Sequence, residues 1–430
     1  MQVVFTTVFL ALVVGTQTVK VEVEGTPDSV EFYLDGVLQT TDTLPPWRAR
    51  VDLGDKLAPH ELEAVALDAE GNEVGRRMQW VNLPRAETSL QIVVERDDKG
   101  SLASARLVAS SSAGLRPEDS NLDLDGKSLE PGPDGAYPLP PMELSMPHFL
   151  RASALFPNGR LAMRELVLGG SYGGETSARI TAVPVSSRRR PEAEYLGALI
   201  ALSEGETRVE AVEKSGSKIF VVVDGNLRGL LRSIEPSVGG VAGIKALIPP
   251  RPDPKLDLCF VVRPVPEVVA RGRQITDAFG YTMPMMITSR APLDWHLTRL
   301  DVASHDPAAQ RLADAVAVAG VRAAGTQCPR VVLLLVASGS PDRSQFSPAE
   351  VRRFLETLHV PLVVLRWGEP LQSDPWGTVI EMGDRRNLRV PMSAVRGVLG
   401  RQWIAWVEGT HPLHHVDVRG DARVGPVTSS

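Results

Sequence analysis

A chain of 430 residues is too long for one small core and implies about two to four domains. With 43% apolar and 23% charged residues it is ordinary globular material, which excludes the disordered and fibrous classes. The net charge is −6, and the one dense basic run, Ser187-Arg188-Arg189-Arg190-Pro191, sits in a Pro/Ser-rich stretch that reads as a solvated linker, which argues against a nucleic-acid partner.

In chain order, the first feature is the apolar run VVFTTVFLALVVG, Val3 to Gly15. It is too short to span a bilayer and matches the core of a signal peptide, although Met1-Gln2 before it carries no charge. The alternative is a first β-strand. The reading adopted is a leader over residues 1–18 and therefore an exported protein: periplasmic, cell-surface or secreted. No later segment reaches transmembrane length.

Residues 19–86 alternate with period two and break into short strands at turn signals. Val19, Val21 and Val23 alternate with Lys20, Glu22 and Glu24, and Asp35-Gly36 marks a hairpin in SVEFYLDGVLQT. This pattern predicts a small β-sandwich. The motifs recur downstream in the same order. LDLDGKSL at Leu122–Leu129 echoes FYLDGVL, Leu139-Pro140-Pro141 echoes Leu44-Pro45-Pro46, and HFLRASALFPNGR from His148 echoes HELEAVALDAEGN from His60. Residues 87–170 therefore read as a second, diverged sandwich, and 171–215 as a linker with a short β connector that includes YLGALIAL and TRVEAVE.

From Lys218 the pattern changes. KIFVVV, LDLCFVV, RVVLLLV, PLVVLRW and WIAWV (Trp403–Val407) are continuous apolar runs, as in a parallel sheet covered on both faces. Between them, Asp306-Pro307 offers a cap with proline at the first helical position. Ser347-Pro348-Ala349-Glu350 is a capping box with Phe346 and Val351 at staple positions. The expectation is a doubly wound α/β domain over 216–408, followed by a C-terminal strand or tail over 409–430.

The segment from ADAVAVAGVRAAG through RVVLLLVASGSPDRSQFSPAEVRRFLETLHVPLVVLRWG resembles the second half of a von Willebrand factor A-type domain. It is most similar to acidobacterial proteins called VWFA-related, and VEFYLDG…LPPW…HELEAVALDAEGN is similar to the sandwich found beside such domains. The resemblance implies two immunoglobulin-like sandwiches followed by a Rossmann-like, von Willebrand A-type domain, in a protein that works by binding other proteins. It also implies a metal-ion-dependent adhesion site at the C-terminal edge of the sheet, made from Asp-x-Ser-x-Ser, a threonine and a further aspartate. Carried over by position, Asp224 fits the first aspartate, and Asn226 and Arg228 replace the two serines. Gln310 falls at the threonine and Ser338 at the last aspartate. One carboxylate, two amides and a cation make a poor cage for a hard divalent ion. No metal or other cofactor is expected, and Mg²⁺ or Mn²⁺ enters only if this degenerate site still binds.

In that reading Asp224 caps the following helix or pairs with Arg228, and Arg228 meets a partner carboxylate directly. Trp367 and Trp376, flanking GEPLQSDP past a strand end, join Arg228 as candidate partner-binding residues; their alternative is packing beneath the loop. Cys259 and Cys328 read as two buried thiols, with one bridge as the alternative. Gly169-Gly170-Ser171-Tyr172-Gly173 matches G-x-S-x-G but lacks the following helix. Asn121 to Gly126 imitates a calcium loop but aligns with the Asp35-Gly36 turn. In the C-terminal H-P-L-H-H, a strand would point His414 and His415 to opposite faces. The functional expectation is a non-enzymatic interaction or scaffolding protein of the cell envelope. Its alternatives are a metal-dependent adhesin using an altered ligand set around Asp224, and a hydrolase using Ser171 or the C-terminal histidines.

Overall fold

The computed structural model of the chain describes residues 2–7, 9, 11–84, 88–96, 102–111, 116–143, 148–156, 160–168, 180–203, 207–234, 256–271, 274–282, 284–289, 291–299, 306–383, 388–409 and 411–427. The first unit contains β1 (Gln2–Phe5), β2 (Thr16–Glu24), β3 (Ser29–Leu34), β4 (Val37–Asp42), β5 (Arg48–Asp52), β6 (His60–Leu67) and β7 (Glu73–Val81). They form two sheets, β1-β2-β5 and β4-β3-β6-β7. Period-two alternation puts Val19, Val21 and Val51 of one sheet and Val30, Phe32, Leu62 and Ala64 of the other into a shared core, the arrangement of an immunoglobulin-like sandwich. Asp35 and Gly36 join β3 to β4 with φ of 50° and 76°, so the tight turn takes the left-handed conformation at both central positions.

The N-terminal residues read as part of a leader belong to this sandwich. Gln2–Phe5 pairs antiparallel with Val21–Glu24, and Val3 and Phe5 are buried in the core, because their alternation matches the inward face of β2.

The second unit repeats the first strand for strand. Its elements are β8 (Thr88–Arg96), β9 (Leu102–Ser111), β10 (Asp119–Leu124), β11 (Lys127–Leu129), β12 (Tyr137–Pro138), β13 (His148–Phe156) and β14 (Arg160–Leu168). The sheets are β12-β9-β8 and β11-β10-β13-β14. Asp125 and Gly126 rebuild the Asp35-Gly36 turn with φ of 49° and 81°.

The remaining chain does not divide into linker, α/β domain and tail. After β15 (Ile180–Ser187), the run YLGALIAL, expected as a strand, is α1 (Ala193–Leu199) leading into β16 (Ile200–Leu202); β17 (Val209–Glu213) follows. The chain then runs through β18 (Lys218–Val223), α2 (Arg228–Ser233), β19 (Leu258–Val262), β20 (Glu267–Arg271), β21 (Gln274–Ala278) and β22 (Met285–Met286). Next come α3 (Leu293–Arg299), α4 (Leu312–Ala324), β23 (Arg330–Ala337), α5 (Pro348–Thr357), β24 (Leu362–Trp367), β25 (Ile380–Gly383) and α6 (Arg389–Arg401). The chain closes with β26 (Gln402–Glu408), β27 (Val416–Val418) and β28 (Val424–Pro426).

Six of these strands form a mixed sheet in the order β22-β19-β18-β23-β24-β25, parallel except at β22. Alternate residues of β18 and β23 enter two separate cores, one with α4 and α5 and the other with α2, α3 and α6. That two-sided burial is why KIFVVV and RVVLLLV are apolar throughout.

The expected fold class is corrected here. The chain is mostly β, with 43% strand against 19% helix, distributed over many small sheets, and a doubly wound domain over 216–408 is not its organising unit. WIAWV, expected in the parallel sheet, lies in β26 and pairs antiparallel with β15 and β17 in the separate sheet β17-β26-β15-β28. The chain after β19 passes through the hairpin β20–β21 to antiparallel β22. Residues expected to be a connector and a tail share one core, in which Val183, Val185, Leu196 and Val212 meet Ala405, Val407, Val416 and Val424. An apolar run buried on both faces does not encode which strand it will pair with. The first sandwich also packs against the helices: Leu57 and Leu83 share a core with α4 and α5.

Candidate functional site

At the C-terminal ends of β18 and β23 the chain makes a knot of polar groups around Asp224. Asp224 directly follows β18, is fully buried, and caps the 3₁₀ turn Gly225–Leu227 that enters α2. Its Oδ1 accepts from the Asn226 N–H at 2.9 Å, Asn226 Nδ2 at 3.1 Å and Gln310 Nε2 at 3.0 Å. Its Oδ2 accepts from the Ala337 N–H at 2.9 Å. Asp224 thus caps the turn, and Arg228 stands half-buried on α2.

Gln310 is also buried, and its carbonyl accepts from the Gly225 N–H at 3.1 Å while its amide also donates to the Pro341 carbonyl at 3.0 Å. Asn226 Nδ2 further donates to Ser340 Oγ at 3.0 Å. Ser338 turns away, its Oγ donating to the Glu369 carbonyl at 2.6 Å.

These residues do not fit a divalent cation. Mg²⁺ needs near-octahedral oxygen ligands converging on one point. Here Asp224 is the one carboxylate of the five carried-over positions, Gln310 Oε1 is taken by a backbone N–H, and the amide nitrogens of Asn226 and Gln310 face Asp224. Gln310, a neutral donor, supplies one of the hydrogen bonds that satisfy the buried carboxylate.

Two carboxylates that the sequence did not single out lock the adjoining loop. Asp342 accepts from the Leu312 and Ala313 N–H groups at 2.9 and 3.2 Å, capping α4 from outside the helix. Asp314, buried in the first turn of α4, accepts from Arg311 Nε and from the Gln345 and Phe346 N–H groups. The loop after β23 is thereby drawn over the start of α4. A cap supplied some thirty residues away leaves no local signature. The local capping box at Ser347–Glu350 is present as the sequence suggests.

Trp367 and Trp376 do not offer an interface. They are 3% and 7% exposed, and they pack into the two opposite cores of the mixed sheet. The loop between them is held down by Arg366, a buried cation that pairs with Asp374 and Glu381, while Asp374 also accepts from the Trp376 N–H.

Cys259 and Cys328 are free buried thiols, and burial pushes Cys259 up to about 12, which leaves it a packing residue. Ser171 lies outside the described residues. His414 and His415 sit on a 3₁₀ turn rather than a strand, with ring centroids 4.1 Å apart instead of facing opposite ways. His411 Nε2 is 2.8 Å from the Glu408 carbonyl. Among the described residues no three histidine, cysteine or acidic side chains come together as metal ligands, and no helix is long and apolar enough to cross a membrane.

Comparison with protein-family models and with curated proteins gives no match. Among solved structures, the chain is similar to fibronectin(III)-like modules of CbhA from Clostridium thermocellum, at 16% identity over 39% of this chain and 93% of that one, TM-score 0.16. It is also similar to the central fibronectin-III array of RIM-binding protein, at 12% identity over 42% and 72%, TM-score 0.23. A proximal thread matrix protein of the mussel byssus matches at 12% identity over 50% of each chain, TM-score 0.24. Scores of this size carry no argument. The class the chain defines, a multidomain protein with immunoglobulin-like β-sandwiches, rests on its own strand pairing.

Proposed function

We propose that this chain is a non-catalytic interaction or scaffolding protein of the cell envelope that works independently of metal. The observation that supports this reading is the Asp224 carboxylate. Four internal N–H donors saturate it, at the position where the resembling domains hold the ion that binds a partner. A sheet edge closed in this way keeps its shape and offers neither a free base nor an open coordination position. The tandem sandwiches suit the same role, since repeated β-modules act as spacers and presenting surfaces.

Affinity capture tests the reading: the tagged full chain is incubated with envelope extracts of the source cells, cross-linked, and washed with EDTA or with Mg²⁺. The expected result is a stoichiometrically retained protein whose recovery is the same in both washes. Loss of the protein in EDTA would instead support a metal-dependent adhesin, and turnover of ester or peptide substrates by the purified chain would overturn the non-catalytic reading.

A further inference from the structure

The run Arg188-Arg189-Arg190, a plain solvated linker in the sequence, is part of a surface that only the fold assembles. In the sheet β17-β26-β15-β28, Ser186 pairs with Gln402 and Ser187 with Val424. Arg401, the last residue of α6, directly precedes Gln402, and Arg423 directly precedes Val424, so the backbones of both lie next to the start of the arginine run. On the far side of β26, Lys214 falls beside Trp403, with its Nζ 5.3 Å from the indole centroid. The Trp403 indole N–H donates to the Ser187 carbonyl at 3.2 Å, which ties the ring to the start of the arginine run.

Six cations from four separate chain segments thus lie around one end of one sheet, and all six are exposed; Lys214 Nζ and Arg401 Nε donate to the Gly400 and Gly397 carbonyls, which leaves their charge in place. Among the described residues none of them forms an ion pair. The nearby carboxylates are Glu192, Glu194, Glu213 and Asp421. Four carboxylates against six cations leave a positive surplus, and Asp421 is turned to the Tyr195 hydroxyl and the Arg423 and Val424 N–H groups.

We infer that this surface binds an acidic, carboxylate-rich segment of a partner protein. The inference rests on the interaction reading above and gives it a location and a partner chemistry. Guanidinium groups match carboxylates as two-pronged donors. With strands about 4.8 Å apart the patch is about 15 Å wide, the reach of a few residues of extended peptide.

A membrane fits less well. The exposed large apolar side chains, Val37, Leu38, Leu44, Met78, Phe149, Val268 and Leu371, lie on other elements, and Ile180 is at the opposite end of β15. A nucleic acid would meet the repulsion of a chain carrying −6 overall, whereas a short peptide senses only the local field.

The test is fluorescence anisotropy of a labelled poly-glutamate peptide titrated with the full chain at low salt. The variants are R188Q/R189Q/R190Q and, for the same loss of charge elsewhere, R48Q/R50Q/R77Q, whose arginines are exposed on the first sandwich. Binding is expected to weaken about tenfold in the first variant and to stay unchanged in the second, with equal melting temperatures throughout. Equal weakening in both, or no binding by the parent chain, would overturn the proposal. Binding to phosphatidylserine vesicles or to a single-stranded oligonucleotide in place of the peptide would overturn it in favour of a membrane or nucleic-acid surface. A flat peptide titration beside a successful capture experiment would remove this inference and leave the interaction reading standing.

Discussion

Gln310 and Asp224 hold each other through a paired contact: the Gln310 amide donates to the Asp224 carboxylate at 3.0 Å, and the Gln310 carbonyl takes the neighbouring Gly225 N–H at 3.1 Å. Both side chains are buried, so the contact stitches β18 to the start of α4 away from water. Asp224→Ala leaves buried N–H donors of Gln310 and Ala337 without their acceptor. The expected loss is about 3–5 kcal/mol, read from urea unfolding of the full chain. Because the knot supplies its own donors, the melting temperature is expected to be the same in EDTA and in millimolar Mg²⁺. A bound ion at a hundredfold excess over its Kd would add about 2.7 kcal/mol and contradict the account.

Asp125 and His148 staple the hairpin of the second sandwich, as Asp35 and His60 do in the first. Nδ1 of His148 lies 2.7 Å from Asp125 Oδ2, and its Nε2 lies 3.2 Å from the Glu143 carbonyl. Both ring nitrogens face acceptors, so both must donate, and the imidazolium is favoured. The Asp125 hydrogen bond, helped by the Glu143 carbonyl, raises His148 above its ordinary 6.5. The His148 bond and the Phe149 N–H hold Asp125 below its ordinary 3.8. A raised histidine stabilises fully below 6.5 and loses that contribution as pH climbs through the folded value; a lowered aspartate stabilises above 3.8 and loses it as pH falls through its own. The pair is therefore strongest between those limits. An NMR titration of His148 is expected to show a midpoint above 6.5 that drops in Asp125→Asn.

Strand β1 makes the N-terminus part of the first core. Burial of Val3 and Phe5 contributes about 3–6 kcal/mol, so removal of residues 1–15 is expected to lower the melting temperature of the first sandwich markedly. The mature N-terminus of the protein from its source cells, read by mass spectrometry, decides between strand and leader. Cleavage near residues 15–18 would mean that the sandwich functions without β1.

Much of the local structure was legible because it follows from short-range rules. The alternation of Val19, Val21 and Val23 gives a strand, Asp35-Gly36 and Asp125-Gly126 give hairpins, and Ser347–Glu350 gives a helix start. What the sequence left open depends on partners distant in the chain. WIAWV is as apolar as RVVLLLV, yet one lies in an antiparallel sheet and the other in the mixed sheet, because burial fixes environment and not neighbour. Asp224 was identifiable as a structural cap, but its saturation depends on a glutamine 86 residues away. Trp367 and Trp376 lie beside a polar loop in sequence and beneath it in the fold, because Arg366 binds the loop's own Asp374.

Gly320 of α4 faces Leu355 of α5 at close range. A Cβ built there would stand 1.9 Å from Leu355 Cδ2, and Leu355 is fully buried. In an exposed helix Gly→Ala gains about 1 kcal/mol, but here the methyl group must displace a packed leucine, at about 1–3 kcal/mol or more. Gly320→Ala is expected to destabilise. The double variant with Leu355→Ala should recover part of the lost stability in a double-mutant cycle, since the clash and its relief involve the same pair.

His414 gives the acid limb of stability its sign. Its Nδ1 is buried and has no hydrogen-bond partner among the described residues; burial, together with the neighbouring His415 and His60, depresses it to about 4, and Asp35 opposes the shift. These groups belong to the C-terminal turn and to the hairpin of the first sandwich, so the charge would develop where two units meet. A base held below its unfolded value of 6.5 takes up a proton more readily in the unfolded chain. Stability should therefore fall as pH drops from 6.5 toward 4, a range in which the His148 contribution is already fully present. His414→Gln removes the titrating group and is expected to flatten the slope of unfolding free energy against pH between those values, with Asp125→Asn leaving that slope largely as it is. If the His414→Gln slope matches that of the parent chain, the acid sensitivity arises from other groups.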